Sequence, residues 1–181
     1  MILHSLIYDD FLEDFDRWRT WFDQAPYEDV VSDVDNVTYP GICKDMPAEL
    51  REEVRYKLQA LTGMSRMNWL FARLSTEGMD PPHWAHHDGN MGAWSMMLYL
   101  NRREHCQGGT ALLSHVYGEP TPEVWARDTN TPGMWCQILR CQMVPNRAFV
   151  FRAEQWHAAL PKGGFGHSPI DGRLVLTCFF E

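Results

Sequence analysis

The sequence predicts a mainly β protein of the sandwich or jelly-roll class with flanking helices. From Asn68 onward, short runs rich in apolar and β-branched residues recur, and pairs of Gly, Pro, Asn and Asp separate them. No helical period lies between these runs, which argues against a parallel α/β sheet. The 181 residues suit a single domain. In it, residues 1–67 form a strand and supporting helices, and residues 68–181 form the jelly-roll core.

The N-terminal part contains one predicted strand and two predicted helices. Residues 2–8 alternate as a first strand, and the segment LEDFDRWRTWFDQ has aromatic residues at helical spacing. In the second helix, Asp45 is the expected cap, Pro47 suits the first turn and Gly63 ends the helix. The apolar stripe of that helix consists of Leu50, Val54, Leu58 and Leu61. We assign these elements to the scaffold.

Eight short runs form the predicted β core, at 68–74, 84–88, 93–100, 110–117, 135–144, 147–152, 156–160 and 172–180. Residues 118–133 lack any period and are predicted to form a long irregular loop. Loops of this length in compact domains are often functional lids. We therefore expect this loop to shape substrate choice, with Trp125 and Arg127 as contacts.

Composition restricts the classes of function. The formal charge of −8 disfavours broad attraction to nucleic acid or anionic membranes, and no apolar run is long enough to span a bilayer. The N-terminal residues lack a basic leader with a cleavage site, so we expect a cytoplasmic protein. Five cysteines without CxxC spacing fit a reducing compartment. A small molecule or a protein remains as the expected partner, and the oligomeric state is not encoded in a readable pattern.

The candidate chemistry begins at His86-His87-Asp88, which contains an H-x-D pattern. In a strand, residues two apart point to the same face, so His86 and Asp88 can converge on one ion while His87 points away. The pattern alone is weak, because a chain with 8 histidines contains such triplets by chance. His157 supplies a third ligand, unless it is a half-buried histidine beside Trp156. Two imidazoles and a carboxylate can occupy one face of an octahedral iron(II).

The final strand carries an arginine among apolar residues. Arg173 and Thr177 share one face of this strand, and a buried arginine is costly unless it meets an anion. Its planar fork fits a carboxylate, to which Thr177 and Tyr99 can donate further hydrogen bonds. The alternatives are that Arg173 pairs with a surface acid and that Tyr99 is a core residue with a satisfied hydroxyl.

The order of these motifs resembles the iron(II)- and 2-oxoglutarate-dependent oxygenases, within them the prolyl-hydroxylase-like branch. The similar segments are H-x-D, LYLN, GGT, FVFRAEQWHAALP and GRLVLT, spread over roughly residues 68–180. YPG, CQGGTALLSH and FGHSPIDGRLVLTCFF are similar to bacterial and phage-type members. The resemblance implies a double-stranded β-helix, a cupin-like jelly roll. It also implies His86, Asp88 and His157 as iron ligands and Arg173, Thr177 and Tyr99 as 2-oxoglutarate contacts.

The activity implied by this resemblance is that of a dioxygenase, most simply a hydroxylase. Such an enzyme couples decarboxylation of 2-oxoglutarate to succinate with C–H oxidation of a protein side chain or small molecule. The implied cofactors are Fe(II), 2-oxoglutarate and O2, and ascorbate is compatible with them. Asp88 argues against a halogenase, which by the same resemblance has a small residue there. The 16 residues from His157 to Arg173 include an inserted KGGFGHSPID, and WARDTNTPGMW lacks a familiar substrate signature, so prolyl hydroxylation is not implied.

Two other interpretations remain open. A cupin-type metal-binding or sensing module without catalysis suits the neighbouring His83, His86 and His87. A zinc hydrolase would use the same three ligands as the oxygenase. Neither gives Arg173 a role, because neither needs an anion clamp near the metal.

Overall fold

The computed structural model describes residues 4–32 and 36–181. Within them the chain forms ten strands: β1 (Ser5–Tyr8), β2 (Glu28–Val31), β3 (Thr38–Cys43), β4 (Met67–Ser75), β5 (Trp94–Tyr99), β6 (Gly109–His115), β7 (Trp135–Gln142), β8 (Ala148–Arg152), β9 (His157–Leu160) and β10 (Arg173–Phe180). Three α-helices accompany them: α1 (Phe15–Phe22), α2 (Ala48–Thr62) and α3 (Pro122–Asp128). Short 3₁₀ turns lie at Arg103–His105 and Pro132–Met134. The predicted mainly β class with flanking helices is confirmed.

The strands form two antiparallel sheets. The larger sheet has the order β1-β8-β5-β10-β4-β3-β2, and the smaller sheet has the order β7-β6-β9. In the larger sheet, Val175 of β10 lies opposite Arg73 of β4 on one side and opposite Tyr99 of β5 on the other. Because paired residues of antiparallel strands share a face, one side chain in two from each of these strands points toward the smaller sheet.

The two faces of the larger sheet bury different sets of residues. Its outer face packs against α1 and α2, where Phe22, Leu58 and Leu176 are fully buried. Its inner face meets the smaller sheet through a second apolar cluster that includes Leu112 and Phe149. Period-two alternation in β10 therefore supplies both the helix-facing core and the wall of the space between the sheets.

The helix ends differ in part from the predictions. Gly63 ends α2 as predicted, with a φ of 74° and its N–H donating to the carbonyl of Gln59. Pro47, however, is the N-cap residue of α2, and the side chain of Asp45 does not cap the helix. No helix among the described residues is both long and apolar enough to cross a bilayer.

The predicted strands agree with the structure except in two places. Residues 84–88 were predicted to be a strand, but only an isolated bridge from His86 to His157 forms there. β2 and β3 were not predicted; they extend the larger sheet beyond β4. The predicted first strand is observed as β1, and its residues 2 and 3 lie outside the described residues. Short strands at the periphery of a sheet form because they pair with a neighbour, and a local sequence pattern contains no information on that pairing.

The irregular loop predicted at 118–133 is partly helical. Thr121 caps α3 by accepting a hydrogen bond from the N–H of Val124, and Pro122 occupies the first turn. α3 has only seven residues, which is too few to display a clear apolar period. Its Trp125 packs against the apolar cluster on the outer surface of the smaller sheet.

The GGT segment forms a tight backbone crossing at the start of β6. Gly108 and Gly109 have φ values of 64° and 135°, and a Cβ at either position would lie 2.0 Å from a backbone oxygen of a neighbouring strand. Only glycine fits there. The crossing leaves the Gly109 carbonyl facing the interior, where it accepts a hydrogen bond from Arg173.

Candidate metal centre

His86, Asp88 and His157 converge at one end of the space between the sheets. One potential ligand atom from each side chain lies within 4.8 Å of the others. Nε2 of His157 is 3.2 Å from Oδ2 of Asp88, and Nε2 of His86 is 3.8 Å from Oδ1. The three predicted metal ligands are therefore brought together, whereas their assignment as iron ligands stays a prediction.

Backbone pairing holds these residues in place. The N–H of His86 donates to the carbonyl of His157 at 3.1 Å, and the N–H of His157 donates back at 2.8 Å. The N–H of Asp88 donates to the carbonyl of Ala153, in the turn between β8 and β9, at 2.7 Å. The H-x-D segment thus lies along the edge of β9 as an irregular loop, and this long-range pairing takes the place of the regular strand that was expected to orient it.

The histidine tautomers suit metal binding through Nε2. Nδ1 of His86 lies 3.1 Å from the carbonyl of Trp84, and Nδ1 of His157 lies 3.0 Å from the carbonyl of Gln155. A carbonyl can only accept, so both Nδ1 atoms carry the proton and both Nε2 atoms offer a lone pair. Nε2 of His157 is buried, and the polar side-chain atom close to it, Oδ2 of Asp88 at 3.2 Å, can only accept and forms no hydrogen bond with it. Such an orphaned acceptor fits a metal ion at this position.

The charges of the three side chains also match a metal site. Burial, followed by the neighbouring His157, lowers the pKa of His86 to about 4. Burial by itself raises the pKa of the Asp88 carboxyl, but His86 and His157 outweigh it, so that pKa lies below its usual range. At neutral pH the cluster offers neutral imidazole from His86 and a carboxylate, the protonation states that bind a metal.

The other nearby histidines do not join this cluster. The ring of His87 packs edge-on against Trp156 with centroids 4.6 Å apart, and His83 stacks near Trp125 at 4.8 Å. Neither His83 nor His87 belongs to the set of side chains whose ligand atoms converge. A set of two histidines and one carboxylate favours the iron oxygenase over the histidine-richer cupin site.

Arg173 lies at the far end of the same space. It is 6% exposed; Nη2 donates to the Gly109 carbonyl at 3.3 Å, and the buried Nε has no partner among the described residues. Burial lowers the pKa of its guanidinium to about 10. His157 pairs with Leu112 on β6, three residues from Gly109. At strand spacing the arginine thus lies roughly 10 Å along the barrel from the metal cluster.

Tyr99 and Thr177 share the inner face with Arg173 but are engaged with protein atoms. The Tyr99 hydroxyl donates to the carbonyl of Cys141 at 3.2 Å, and the Thr177 hydroxyl lies 3.5 Å from Sδ of Met97. Both side chains are buried. The proton of each hydroxyl is already directed at a protein atom, and the remaining lone pairs can only accept. Because an anion needs a donor, each hydroxyl has to rotate before it can contact one. Their roles stay predictions.

The two predicted substrate contacts lie on α3. The indole N–H of Trp125 donates to the carbonyl of Ala85 at 2.8 Å, so this residue anchors α3 to the loop that carries His86. The guanidinium of Arg127 binds both carboxylate oxygens of Asp128 at 2.7 Å. Asp128 also contacts His115. Contact of Trp125 and Arg127 with a substrate is untested and stays a prediction.

Sequence reasoning missed Arg73 on β4. This arginine lies opposite Val175, with Nε buried and without a partner among the described residues, and its guanidinium lies 5.5 Å from the ring centre of Tyr39. The alternation in NWLFARLS was the available signal. Because Leu70, Ala72 and Leu74 form one buried face, Arg73 had to point to the opposite one.

Comparison with solved structures identifies the fold. SnoN, a non-heme α-ketoglutarate-dependent epimerase from nogalamycin biosynthesis, superposes with a TM-score of 0.59 and 14% identity over 96% of this chain and 74% of SnoN. A Pseudomonas putida prolyl-4-hydroxylase gives a TM-score of 0.53 and 16% identity over 99% of this chain and 92% of the enzyme. The chain has the fold of the 2-oxoglutarate- and iron(II)-dependent oxygenases.

A third protein with this oxygenase fold is HygX from Streptomyces hygroscopicus, whose structure contains nickel, 2-oxoglutarate and hygromycin B. It superposes with a TM-score of 0.54 and 11% identity over 97% of this chain and 82% of HygX. No protein-family model matches the sequence, and no curated protein matches it. The shared feature is therefore the fold, a double-stranded β-helix, while its residues have diverged widely.

Proposed function

We propose that this protein is an iron(II)- and 2-oxoglutarate-dependent dioxygenase, most simply a hydroxylase. The observation that carries the proposal is the pairing of two features across the space between the two sheets. His86, Asp88 and His157 converge at one end with the orphaned Nε2 of His157, and the under-satisfied guanidinium of Arg173 lies at the other. A metal ion and a carboxylate satisfy these two sets of polar atoms together.

Different side chains would bind the metal and the cosubstrate. His86, Asp88 and His157 would hold iron(II). The Nδ1 atoms of the two histidines and the backbone N–H of Asp88 bond to carbonyls, and these bonds fix the orientation of the three side chains. Arg173 would bind the distal carboxylate of 2-oxoglutarate. The rise of roughly 10 Å along β6 suits a metal bond, a five-carbon diacid and a hydrogen bond to a guanidinium in series.

The bound iron would supply O2 activation, with 2-oxoglutarate as the electron donor and succinate and CO2 as its products. The protein contributes an apolar lining. Phe149 and Phe151 line the inner face, and the Phe151 ring centre lies 4.8 Å from that of His157. Exclusion of water strengthens the electrostatic contacts of Arg173 and protects reactive species from side reactions. The substrate is a small molecule or a protein side chain; the acidic surface disfavours nucleic acid.

An anaerobic titration tests this proposal. Fe(II) and 2-oxoglutarate are added to the protein, and the visible charge-transfer absorption of an iron-bound keto acid is measured. We expect the absorption with the wild type and with His87→Ala, and its loss with His86→Ala. After admission of O2, we expect slow succinate formation without any substrate. A wild-type protein that binds Fe(II) but never yields the absorption would refute the assignment and leave the cupin-type module.

A further inference from the structure

One face of β4 is open to the space that contains the metal cluster. Leu70 and Leu74 are buried on the helix side, whereas Trp69 on the opposite face is 53% exposed and Phe71 and Arg73 are half-buried. The paired residues of β10 on that inner face are all buried. An accessible strip therefore runs along β4, made of Trp69, Phe71 and Arg73 in that order.

Continuous pairing connects this strip to the metal cluster. Trp69 lies opposite Phe179, Phe179 opposite Ser95, and Ser95 opposite Phe151. The ring of Phe151 packs on His157. All these residues share the inner face, so a molecule lying on Trp69 and Phe71 adjoins the space above the metal ligands.

Arg73 is held in position but lacks an anion. Its guanidinium lies over the ring of Tyr39, and it forms no ion pair within residues 4–32 and 36–181. Burial lowers the pKa of this guanidinium, yet arginine remains a cation at neutral pH. It lies opposite Val175, two residues along β10 from Arg173 and on the same face, so it adjoins the proposed cofactor site.

A charge balance shows what the site lacks once its cofactors are bound. Arg73, Arg173 and iron(II) together carry four positive charges, whereas Asp88 and the 2-oxoglutarate dianion carry three negative ones. Neither arginine forms an ion pair with an acid in the described part of the chain. One positive charge thus remains inside a poorly solvated space, where an unpaired charge is costly.

We propose that the substrate is a monocarboxylic acid with an apolar body, whose carboxylate binds Arg73 while the body lies on Trp69 and Phe71. The inference rests on the proposed oxygenase function, because the charge balance includes iron and 2-oxoglutarate. A carboxylate supplies the single missing negative charge and matches the planar donor fork of a guanidinium. Arg173 is 6% exposed and suits an enclosed cosubstrate; Arg73 is partly accessible and suits a molecule that enters last.

Matched acid and amide probes test this proposal. Phenylacetate, indole-3-acetate and octanoate, with the corresponding neutral amides, are titrated calorimetrically into the anaerobic Fe(II)- and 2-oxoglutarate-saturated protein. We expect at least one acid to bind more tightly than its amide. In Arg73→Gln we expect this preference to fall by roughly 10- to 150-fold, the range for one hydrogen bond to a charged group. Arg55→Gln, an equal charge change at an exposed residue of α2, should retain the preference.

A second variant tests the apolar part of the site. Trp69→Ala should weaken each acid and its amide by similar factors, because it removes packing area without changing charge. Since Trp69 is half-exposed, the variant is expected to fold and to bind 2-oxoglutarate normally. Retained affinity of every probe in Trp69→Ala would show that the strip on β4 is not the contact surface, and the proposal would be wrong.

The 2-oxoglutarate absorption separates failure of this inference from failure of the proposed function. If the wild type yields no absorption, the oxygenase assignment fails and this inference fails with it. If the absorption is normal but no acid is preferred over its amide, only the inference is wrong. A loss of 2-oxoglutarate affinity in Arg73→Gln as large as in Arg173→Met would make Arg73 a cosubstrate ligand and would also overturn it.

Discussion

Replacement of Arg173 by methionine should raise the stability of the ligand-free protein while it removes the binding of 2-oxoglutarate. Methionine retains much of the volume of the arginine side chain and has no charge to solvate. In the ligand-free protein the guanidinium makes one hydrogen bond, to Gly109, and its buried Nε has no partner among the described residues. The charge is therefore a cost to folding that only an anion offsets.

The size of both effects follows from the burial of this group. Desolvation lowers the pKa of Arg173 to about 10, which corresponds to about 3 kcal/mol against the charged form. A base whose pKa is lower in the folded state destabilises the fold at every pH below about 10, and this cost disappears as the pH rises from about 10 to the pKa of the unfolded state. Arg173→Met should thus gain ~1–3 kcal/mol in unfolding free energy at pH 7. Its 2-oxoglutarate affinity should fall by ~2–5 kcal/mol, roughly 30- to several-thousand-fold.

Two measurements check these values. Urea unfolding followed by tryptophan fluorescence gives the unfolding free energy of metal-free wild type and variant, and the anaerobic absorption titration gives the 2-oxoglutarate affinity of the Fe(II) forms. Arg173→Lys should recover binding only in part, because an ammonium lacks the planar fork. Unchanged affinity in Arg173→Met would refute the role of this residue as the carboxylate clamp. A lower unfolding free energy would refute the argument from its unsatisfied burial.

Three further predictions concern the ligand set, the helix-facing core and the pH dependence. His86→Ala and His157→Ala should each reduce Fe(II) affinity by at least tenfold in equilibrium dialysis, whereas His87→Ala should match the wild type; sensitivity of His87 alone would contradict the ligand assignment. Leu58→Ala should lower the unfolding free energy by ~2–5 kcal/mol in urea, since this fully buried side chain leaves a cavity between α2 and the sheet; a loss below ~1 kcal/mol would contradict tight packing there. Hydrogen bonding to Arg127 and His115 lowers the pKa of Asp128 to about 2. The free energy of unfolding that this carboxylate contributes is therefore present above pH 3.8, the unfolded value, and is lost as the pH falls toward 2. Asp128→Asn should remove this part of the acid-unfolding curve, and an unaltered curve would contradict the pairing.

Much of the fold and most of the candidate site could be predicted from local patterns. The inner and outer faces of β10 follow from period-two alternation, and the same rule puts Arg173 on an inner face. Gly63 ends α2 because a left-handed residue is required there. The predicted strand at 84–88 was wrong because Trp84, Ala85 and Asp88 bond to distant loops and turns instead of to one neighbouring strand.

The sequence by itself determined the β class, the alternating faces and the identities of three metal-ligand candidates, since each depends on residue type and on spacing within a few positions. Only the tertiary structure decided that His86 pairs with the backbone of His157, 71 positions later in the chain, and that α3 is anchored through Trp125. Only the tertiary structure also placed Arg73 opposite Val175, on the same inner face as Arg173. The reason is physical. Backbone hydrogen bonds between distant segments and the electrostatic interaction of buried charges depend on which strands become neighbours, and a local pattern contains no information on that choice.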